Sequence, residues 1–298
     1  MLIIVVDPRF RGNDITFMFF DTHTHVNFSA FSAKGGSASG GKDDTDATIK
    51  RALDSHTWMI NVGTQVDTSK AAVELASKYP QGVFAAIGLH PVHTWQQMLD
   101  EEESHFKSRA EVFDEAKYEK LLNNKVVAVG ECGLDYYRVS KDSNQEAVIS
   151  KQKSEFIKQI NFAKEHKLPM TIHCRDAYND LLEILKSEYS GLPAVIHSFT
   201  DTWETAKKFL DQGYYIAFNG ILTFDKIGRL AEVVSKMPFD KLLVETDAPY
   251  LTPPPFRGKR NEPAYVKYVV AKIAEIRGRS SEEMASRTFE NARRLFKI

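Results

Sequence analysis

Two histidines stand close together near the start of the chain, where an apolar segment ends. His23 and His25 are separated by one residue, so in a β-strand their side chains would point to the same face. Two imidazoles on one face are suited to bind a divalent metal ion. Such a pair is a weak signal alone, because histidines also occur in strands that bind no metal.

Four more side chains of metal-ligand type follow apolar runs further along the chain. They are Glu131, His173, His197 and Asp247. Each could by itself be a hydrogen-bonded core or loop residue, although a carboxylate that ends so apolar a run needs a partner. If the runs are strands of one barrel, however, their carboxyl ends meet in one place. The six side chains together therefore predict a metal centre.

The size and chemistry of this set indicate more than one ion. Four imidazoles and two carboxylates exceed what a single tetrahedral ion uses. They suit two divalent ions, Zn²⁺, Mn²⁺ or Mg²⁺, about 3.5–4 Å apart and bridged by a carboxylate and a water. Such a pair holds the attacking and leaving oxygens of a displacement at phosphorus and supplies hydroxide at neutral pH. We therefore predict a phosphoester hydrolase.

The apolar runs alternate with amphipathic segments, in the order β then α. The predicted strands are 16–22, 57–62, 83–89, 126–130, 169–173, 194–197, 214–218 and 242–246. The predicted helices are 67–78, 145–166, 176–188, 201–212, 224–236, 263–277 and 281–296. Eight strands with intervening helices favour an α/β fold, a single (β/α)8 TIM barrel with extra C-terminal helices, over a doubly wound sheet.

Two segments are expected to lie outside this barrel or to project from it. Residues 1–16 begin with a short apolar run that lacks the features of a signal peptide. We interpret them as an extension outside the fold, with Met18 as a candidate start, and assign 17–298 to the hydrolase barrel. The Gly/Ser-rich segment 32–42 predicts a flexible loop at the catalytic end, either a tolerated insertion or a lid.

Composition restricts the partners and the compartment. The 298 residues include 43% hydrophobic and 27% charged residues and carry a net charge of −1, so local basic groups must hold any nucleic acid. No apolar run approaches the roughly 20 residues of a membrane-spanning helix. Two cysteines, Cys132 and Cys174, argue against a disulfide scaffold and fit a reducing compartment. We expect a cytoplasmic monomer without membrane contact.

Six ordered motifs resemble the TatD family of metal-dependent deoxyribonucleases, which belongs to the amidohydrolase-like barrels. The motifs are DTHTH (21–25), GLHP (88–91), GECGLDYYR (130–138), IHCR (172–175), IHSFT (196–200) and ETDAP (245–249). The resemblance extends from about Phe19 to the C-terminus. It implies two groups of ligands that share a bridging Glu131: His23, His25 and Asp247 on one side, and His173 and His197 on the other.

The resemblance also implies roles in catalysis. Asp247 would act as general base on a metal-activated water, with Glu131 as the second catalytic carboxylate, and His90 would contact the phosphate. The chain departs from the family pattern after the sixth strand, where Ser198 and Asp201 replace a cysteine and a glycine. The segment 32–42 is a second departure, and it could change access to the site.

Basic side chains near the predicted centre could hold an anionic substrate. Arg175 follows His173 by two residues and could bind a phosphate in bidentate fashion, with a salt bridge to Asp176 as the structural alternative. A basic loop after the last strand predicts contacts to backbone phosphates, unless it is merely solvated. Its basic residues are Arg257, Lys259 and Arg260.

Other residues have both a functional and a structural interpretation. Three aromatic residues could stack on bases or pack internally; they are Trp95, Tyr136 and Tyr137. Asp135 and Arg138 could orient a ligand or form an ion pair. The remaining histidines are expected to be ordinary surface or helix residues: His56, His93, His105 and His166.

Three functions remain open on the sequence. The first is a nuclease that cleaves DNA, a 3′→5′ exonuclease on single strands. The second is an ester or amide hydrolase, such as a D-aminoacyl-tRNA deacylase, since the same metal centre can attack a carbonyl. The third is a catalytically silent module that binds metal or nucleic acid, which the intact Asp247 disfavours.

Overall fold

The computed structural model describes residues 17–32, 43–95, 110–137, 139 and 144–298. The predicted extension 1–16 and nearly all of the Gly/Ser-rich segment 32–42 lie outside these residues, as do His105 and Arg138. No described helix is long and apolar enough to cross a membrane.

Eight parallel strands form one sheet whose spatial order is the order of the chain. The strands are β1 (Phe19–Thr24), β2 (Thr57–Val62), β3 (Val83–Ile87), β4 (Val126–Asp135), β5 (Met170–Arg175), β6 (Ala194–Ile196), β7 (Tyr215–Phe218) and β8 (Leu242–Val244). The first and last strands are joined where Thr22 Oγ1 donates to Val244 O at 3.0 Å and Asp247 N to His23 O at 2.9 Å. The nearly closed sheet confirms the predicted (β/α)8 barrel.

Helices connect the strands and cover the outside of the barrel. They are α1 (Thr45–Asp54), α2 (Val66–Ser77), α3 (Glu115–Glu119), α4 (Gln145–His166), α5 (Tyr178–Glu188), α6 (Trp203–Asp211), α7 (Arg229–Lys236), α8 (Val266–Arg277) and α9 (Ser281–Phe296). All seven predicted helices are present, with shifted ends in most. The sequence prediction missed α1 and α3. Helix α3 buries only Tyr118, and such a short helix shows no apolar period.

Strand β4 is five residues longer than the predicted segment 126–130, so Glu131 lies within the strand and not after it. Its pairing with β5 shifts register between Val129 and Cys132, next to Glu131. Only glycine fits before Glu131, because a Cβ on Gly130 would lie 2.2 Å from Thr171 Cγ2. The polar and small residues from 131 onward end the apolar pattern, and the strand continues through its pairing with β5.

Helix α9 packs against an apolar cluster of the barrel near the amino-terminal end of β1. The Phe20 and Phe289 rings lie 5.8 Å apart between centroids, and Phe289 also contacts Trp58 at 5.2 Å. Leu295 and Phe296 belong to the same buried cluster. The predicted C-terminal helix is therefore part of the core that keeps the strands in place.

We expect Phe289→Ala to lower the free energy of unfolding by about 3–5 kcal/mol, because it removes a buried ring and leaves a cavity. Urea unfolding followed by circular dichroism measures the change. Arg294→Ala is the matched control, since Arg294 is exposed on the same helix and should shift stability by less than about 0.5 kcal/mol. Equal effects of the two substitutions would show that α9 does not stabilise the barrel.

Candidate metal centre

One oxygen of the buried Glu131 carboxylate faces the ligand-type side chains at the ends of β1 and β8. Glu131 Oε2 lies 3.3 Å from His23 Nε2 and 3.6 Å from His25 Nε2. The two Nε2 atoms are 3.1 Å apart, and Asp247 Oδ1 lies 3.4 Å from that of His25. These four side chains therefore surround one point at the carboxyl ends of the strands.

The other oxygen of the same carboxylate faces three further imidazoles. Glu131 Oε1 lies 2.9 Å from His173 Nδ1, 3.1 Å from His197 Nε2 and 3.2 Å from His90 Nε2. Glu131 thus lies between two groups of nitrogen and oxygen atoms, with one oxygen for each. The structure brings together all six predicted ligands and His90.

The histidines at the end of β1, His23 and His25, are oriented by hydrogen bonds on the side of the ring that faces away from the centre. His25 Nδ1 donates to Val62 O at 2.9 Å, which leaves the lone pair on Nε2 directed at the centre. His23 Nδ1 lies 3.4 Å from Thr171 Oγ1, so its Nε2 also points inward. A ring nitrogen held in this way leaves the other nitrogen free to bind a metal ion.

Two carboxylates orient the histidines at the ends of β5 and β6. Asp135 Oδ2 lies 3.1 Å from His173 Nε2, and Glu245 Oε1 lies 3.2 Å from His197 Nδ1. Ser198 N also donates to Glu245 Oε1, at 2.6 Å. A carboxylate behind a ligating histidine fixes its ring and raises its basicity. Asp135 thus has the orienting contact considered from the sequence.

The ring proton of His90 is on a different nitrogen from that of His25. Burial lowers the pKa of His90, so the ring is neutral at neutral pH. Its Nδ1 accepts a hydrogen bond from Val92 N at 3.1 Å, so the proton of the neutral ring is on Nε2. His90 can therefore donate a hydrogen bond to Glu131 or to an oxygen of a ligand in the cavity.

The buried carboxylates and imidazoles of the centre shift one another's pKa values. Burial works to raise the pKa of Glu131, but the neighbouring imidazoles outweigh it and hold the pKa well below its usual value. Burial also works to raise the pKa of Asp247, but the hydrogen bond with His25, and after it the nearby imidazoles, lower this pKa. Burial works to lower the pKa of His173, yet its bonds to Asp135 and Glu131 raise it to about 9. Divalent cations can replace these protons, so the donor set fits metal ions.

The sequence prediction missed two buried acids that support the centre. Asp21 accepts hydrogen bonds from the backbone nitrogens of His23, at 3.3 Å, and Thr246, at 2.8 Å, and so connects β1 to the segment after β8. Glu245 orients His197 as described above. Each acid lies two residues before a predicted ligand and directly follows an apolar run, the same signal that identified Glu131.

A cavity of about 560 Å³ opens beside the ligands, a size suited to a small ligand or one unit of a polymer. It is lined by side chains of the centre, by Arg175 and by apolar side chains that include Phe28, Ile221 and Leu251. His93 also lines it and is only 6% exposed, so its expected surface position is wrong. His93 ends the short 3-10 turn Pro91–His93, and its ring lies 6.2 Å from that of His90.

The predicted phosphate-binding arginines have different surroundings. Arg175 forms no salt bridge within the described parts of the chain, with Asp176 or any other acid, and its Cζ lies 3.6 Å from the Tyr137 ring centroid. Arg260 forms salt bridges with Asp44 and, at 3.3 Å, with Glu262. The charge of Arg260 is therefore already balanced by acids of the fold.

The other two basic residues of this loop extend toward solvent. Arg257 lies over the Phe224 ring, with Cζ 3.9 Å from the centroid, and Nη1 donates to Thr252 O at 2.9 Å. Lys259 is exposed and its nearest ring is that of Phe256, at 5.8 Å. Neither forms a salt bridge with an acid among the residues that the structure describes.

Comparison with known proteins agrees with the fold and the donor set. A family model described as TatD related DNase matches residues 20–297. The uncharacterized metal-dependent hydrolase YabD of Bacillus subtilis is 40% identical over 94% of this chain and 100% of its own length. The 3′-5′ ssDNA/RNA exonuclease TatD of Erwinia tasmaniensis is 34% identical over 86% of this chain and 94% of its own.

Among solved structures, the chain is similar to YJJV, a TatD homolog from Escherichia coli. The TM-score is 0.75 and the identity 28%, over 94% of this chain and 98% of that one. A hydrolase TatD family protein from Entamoeba histolytica has the same fold, with a TM-score of 0.77 at 22% identity over 94% of this chain and 98% of that one. The family match over nearly the whole chain, the full-length relatives and the cluster of metal-ligand side chains lead to one conclusion: the chain belongs to the TatD family and is a metal-dependent hydrolase.

Proposed function

We propose that this hydrolase is a nuclease that removes nucleotides from the 3′ end of single-stranded DNA. The observation that carries the proposal is the Glu131 carboxylate, whose two oxygens face two separate groups of ligand atoms. A centre with two cations suits displacement at phosphorus, because attacking and leaving oxygens both need stabilisation. The name of the Erwinia tasmaniensis relative, a 3′-5′ ssDNA/RNA exonuclease, supports the choice of substrate.

Two divalent ions would be held by this chain, one on each side of Glu131. His23, His25 and Asp247 would complete the first set of ligands. His173 and His197 would complete the second. When bound, such ions polarise phosphoryl oxygens and make water acidic enough to supply hydroxide at neutral pH.

The side chains around the centre would have separate roles in the reaction. Asp247 is ionised and borders the cavity, so it would take a proton from the attacking water. His90 carries its proton on Nε2 and would donate it in a hydrogen bond to a phosphate oxygen. Arg175 would bind a second phosphate oxygen through the edge of its guanidinium group. The apolar side chains that line the cavity would limit the water that reaches the reacting bond.

The exposed basic groups after β8 would hold the strand beyond the cavity. Arg257 and Lys259 have no acid partner among the described residues, so both are available to backbone phosphates. Arg260 was predicted to share this role, but its two acid partners make it a weaker source of positive charge. We therefore assign the phosphate contacts of this loop to Arg257 and Lys259.

Glu245→Gln should weaken metal binding about 10- to 100-fold, because the amide holds the His197 ring less firmly than the carboxylate. Competition with a chromophoric chelator for Zn²⁺ or Mn²⁺ measures the affinity. Glu204→Gln makes the same chemical change at an exposed position of α6 and should leave the affinity unchanged. An unaltered affinity in Glu245→Gln would contradict the orienting role.

Asp247→Asn should lower kcat on single-stranded DNA about 10²- to 10⁴-fold, because the amide cannot accept the proton of the water. A 5′-labelled strand with Mg²⁺ or Mn²⁺ measures the rate, and a ladder of shortened labelled products shows cleavage from the 3′ end. Asp176→Asn is the matched control, since both aspartates have a left-handed backbone that asparagine tolerates, with φ of +57° and +56°.

Two results of that assay would overturn the proposal. One is wild-type protein that leaves the strand intact with both metals. The other is an Asp247→Asn protein as active as wild type. An aminoacyl-tRNA substrate run in parallel tests the carbonyl alternative, because hydrolysis of that substrate alone would assign the centre to ester hydrolysis.

Arg257→Ala should weaken binding of single-stranded DNA and reduce the slope of log K against log salt by about 0.7, as expected when one phosphate contact is lost. Fluorescence anisotropy across a salt series, with catalytically impaired Asp247→Asn as the background, measures both quantities. Arg260→Ala in the same background should change the slope less, because Asp44 and Glu262 already neutralise that charge. A larger change for Arg260→Ala would reverse the assignment.

A further inference from the structure

Tyr137 presents an open aromatic surface next to the metal centre. Its side chain is 60% exposed, although a guanidinium group lies against it, with Arg175 Cζ 3.6 Å from the ring centroid. A ring covered on one face retains that exposure only if its opposite face is open to solvent. Large exposed apolar side chains are few in the described part of the chain, which makes this position unusual.

The backbone that carries this ring is tied to the metal centre. Tyr137 N donates to Asp135 Oδ1 at 3.1 Å, and the other oxygen of Asp135 lies 3.1 Å from His173 Nε2. Tyr136 N donates to Arg175 O at 2.9 Å, and its hydroxyl donates to Asp180 at 2.7 Å. The ring of Tyr137 therefore has a defined place relative to the ligands, whereas Tyr136 is engaged in internal contacts.

Arg175 connects the open ring to the cavity. A guanidinium group that stacks with its face on an aromatic ring keeps its N–H edge free for a phosphate. Arg175 also lines the cavity together with Glu131 and His173. A strand whose scissile phosphate lies at Glu131 would thus meet Arg175 first and Tyr137 next.

We infer that the open face of Tyr137 is a stacking site for an unpaired base, that of a nucleotide adjacent to the scissile phosphodiester. The inference rests on the proposed nuclease function and specifies its substrate, an unpaired strand end at least two nucleotides long. Every base has a π-face, so stacking on Tyr137 is tolerant of sequence. A base within a duplex is already stacked on both faces, so this site selects single strands.

A different role for Tyr137 would be to hold Arg175 in position without touching the substrate. The two roles predict different dependence on the base. If Tyr137 only positions Arg175, its loss affects every phosphodiester that Arg175 binds. If Tyr137 stacks on a base, its loss affects only strands that carry that base.

The test is a double-mutant cycle in which the Tyr137 ring and the base are removed separately and together. Wild type, Tyr137→Ala and Tyr137→Phe are compared by kcat/KM on a single-stranded oligonucleotide and on three versions that carry an abasic residue at the first, second or third position from the 3′ end. Ile227→Ala is the control for loss of an exposed apolar side chain, since Ile227 is 81% exposed in the loop before α7.

At one of the three positions, the abasic residue should lower kcat/KM of wild type about tenfold, within the range of one stacked base. Tyr137→Ala should show the same loss on the intact strand and no further loss on that abasic strand. Tyr137→Phe and Ile227→Ala should behave as wild type.

The remaining outcomes distinguish failure of the stacking site from failure of the nuclease function. If wild type cleaves the strands but Tyr137→Ala matches wild type in kcat/KM on every strand, or falls below wild type by the same factor on every strand, the stacking site is wrong and the nuclease function stands. If wild type cleaves none of the strands, the nuclease function fails and the stacking site fails with it.

Discussion

The Glu131 carboxylate is the interaction on which the rest of the centre depends. It is 4% exposed, and its two oxygens face four imidazoles within 3.3 Å, those of His23, His90, His173 and His197. A buried carboxylate is costly unless its charge is balanced and its oxygens are bonded. Gly130 permits the close approach of β4 to β5 at this point, and Asp135 and Glu245 hold the rings that face it.

The charges around this centre explain why, in the proposed nuclease, cations would have to bind before a phosphodiester. Glu131 and Asp247 are both ionised and would repel a phosphate at the same place. Arg175 is the described arginine that lines the cavity, and the basic groups after β8 lie further out. Divalent ions would supply positive charge at the carboxylates, and in the proposed nuclease the arginines would then fix the position and direction of the strand.

Much of this arrangement could be predicted from the sequence, because a parallel barrel brings the carboxyl ends of its strands together. The apolar runs located all eight strands, and the polar residues that follow them are the side chains that the structure brings together around Glu131. The continuation of β4 past Gly130 was not predictable in this way, since it depends on pairing with β5. The main partner of Arg260 was also hidden, because Asp44 lies 216 residues away in the chain. Glu245 and Asp21 gave the same signal as Glu131 and could have been included.

The shared carboxylate can be observed directly in crystals of the wild-type protein loaded with Mn²⁺. Anomalous difference density would locate each ion independently of any assay. The account predicts two peaks about 3.5–4 Å apart, one on each side of Glu131, as in other two-metal sites. A single peak, or peaks that do not share Glu131, would contradict it.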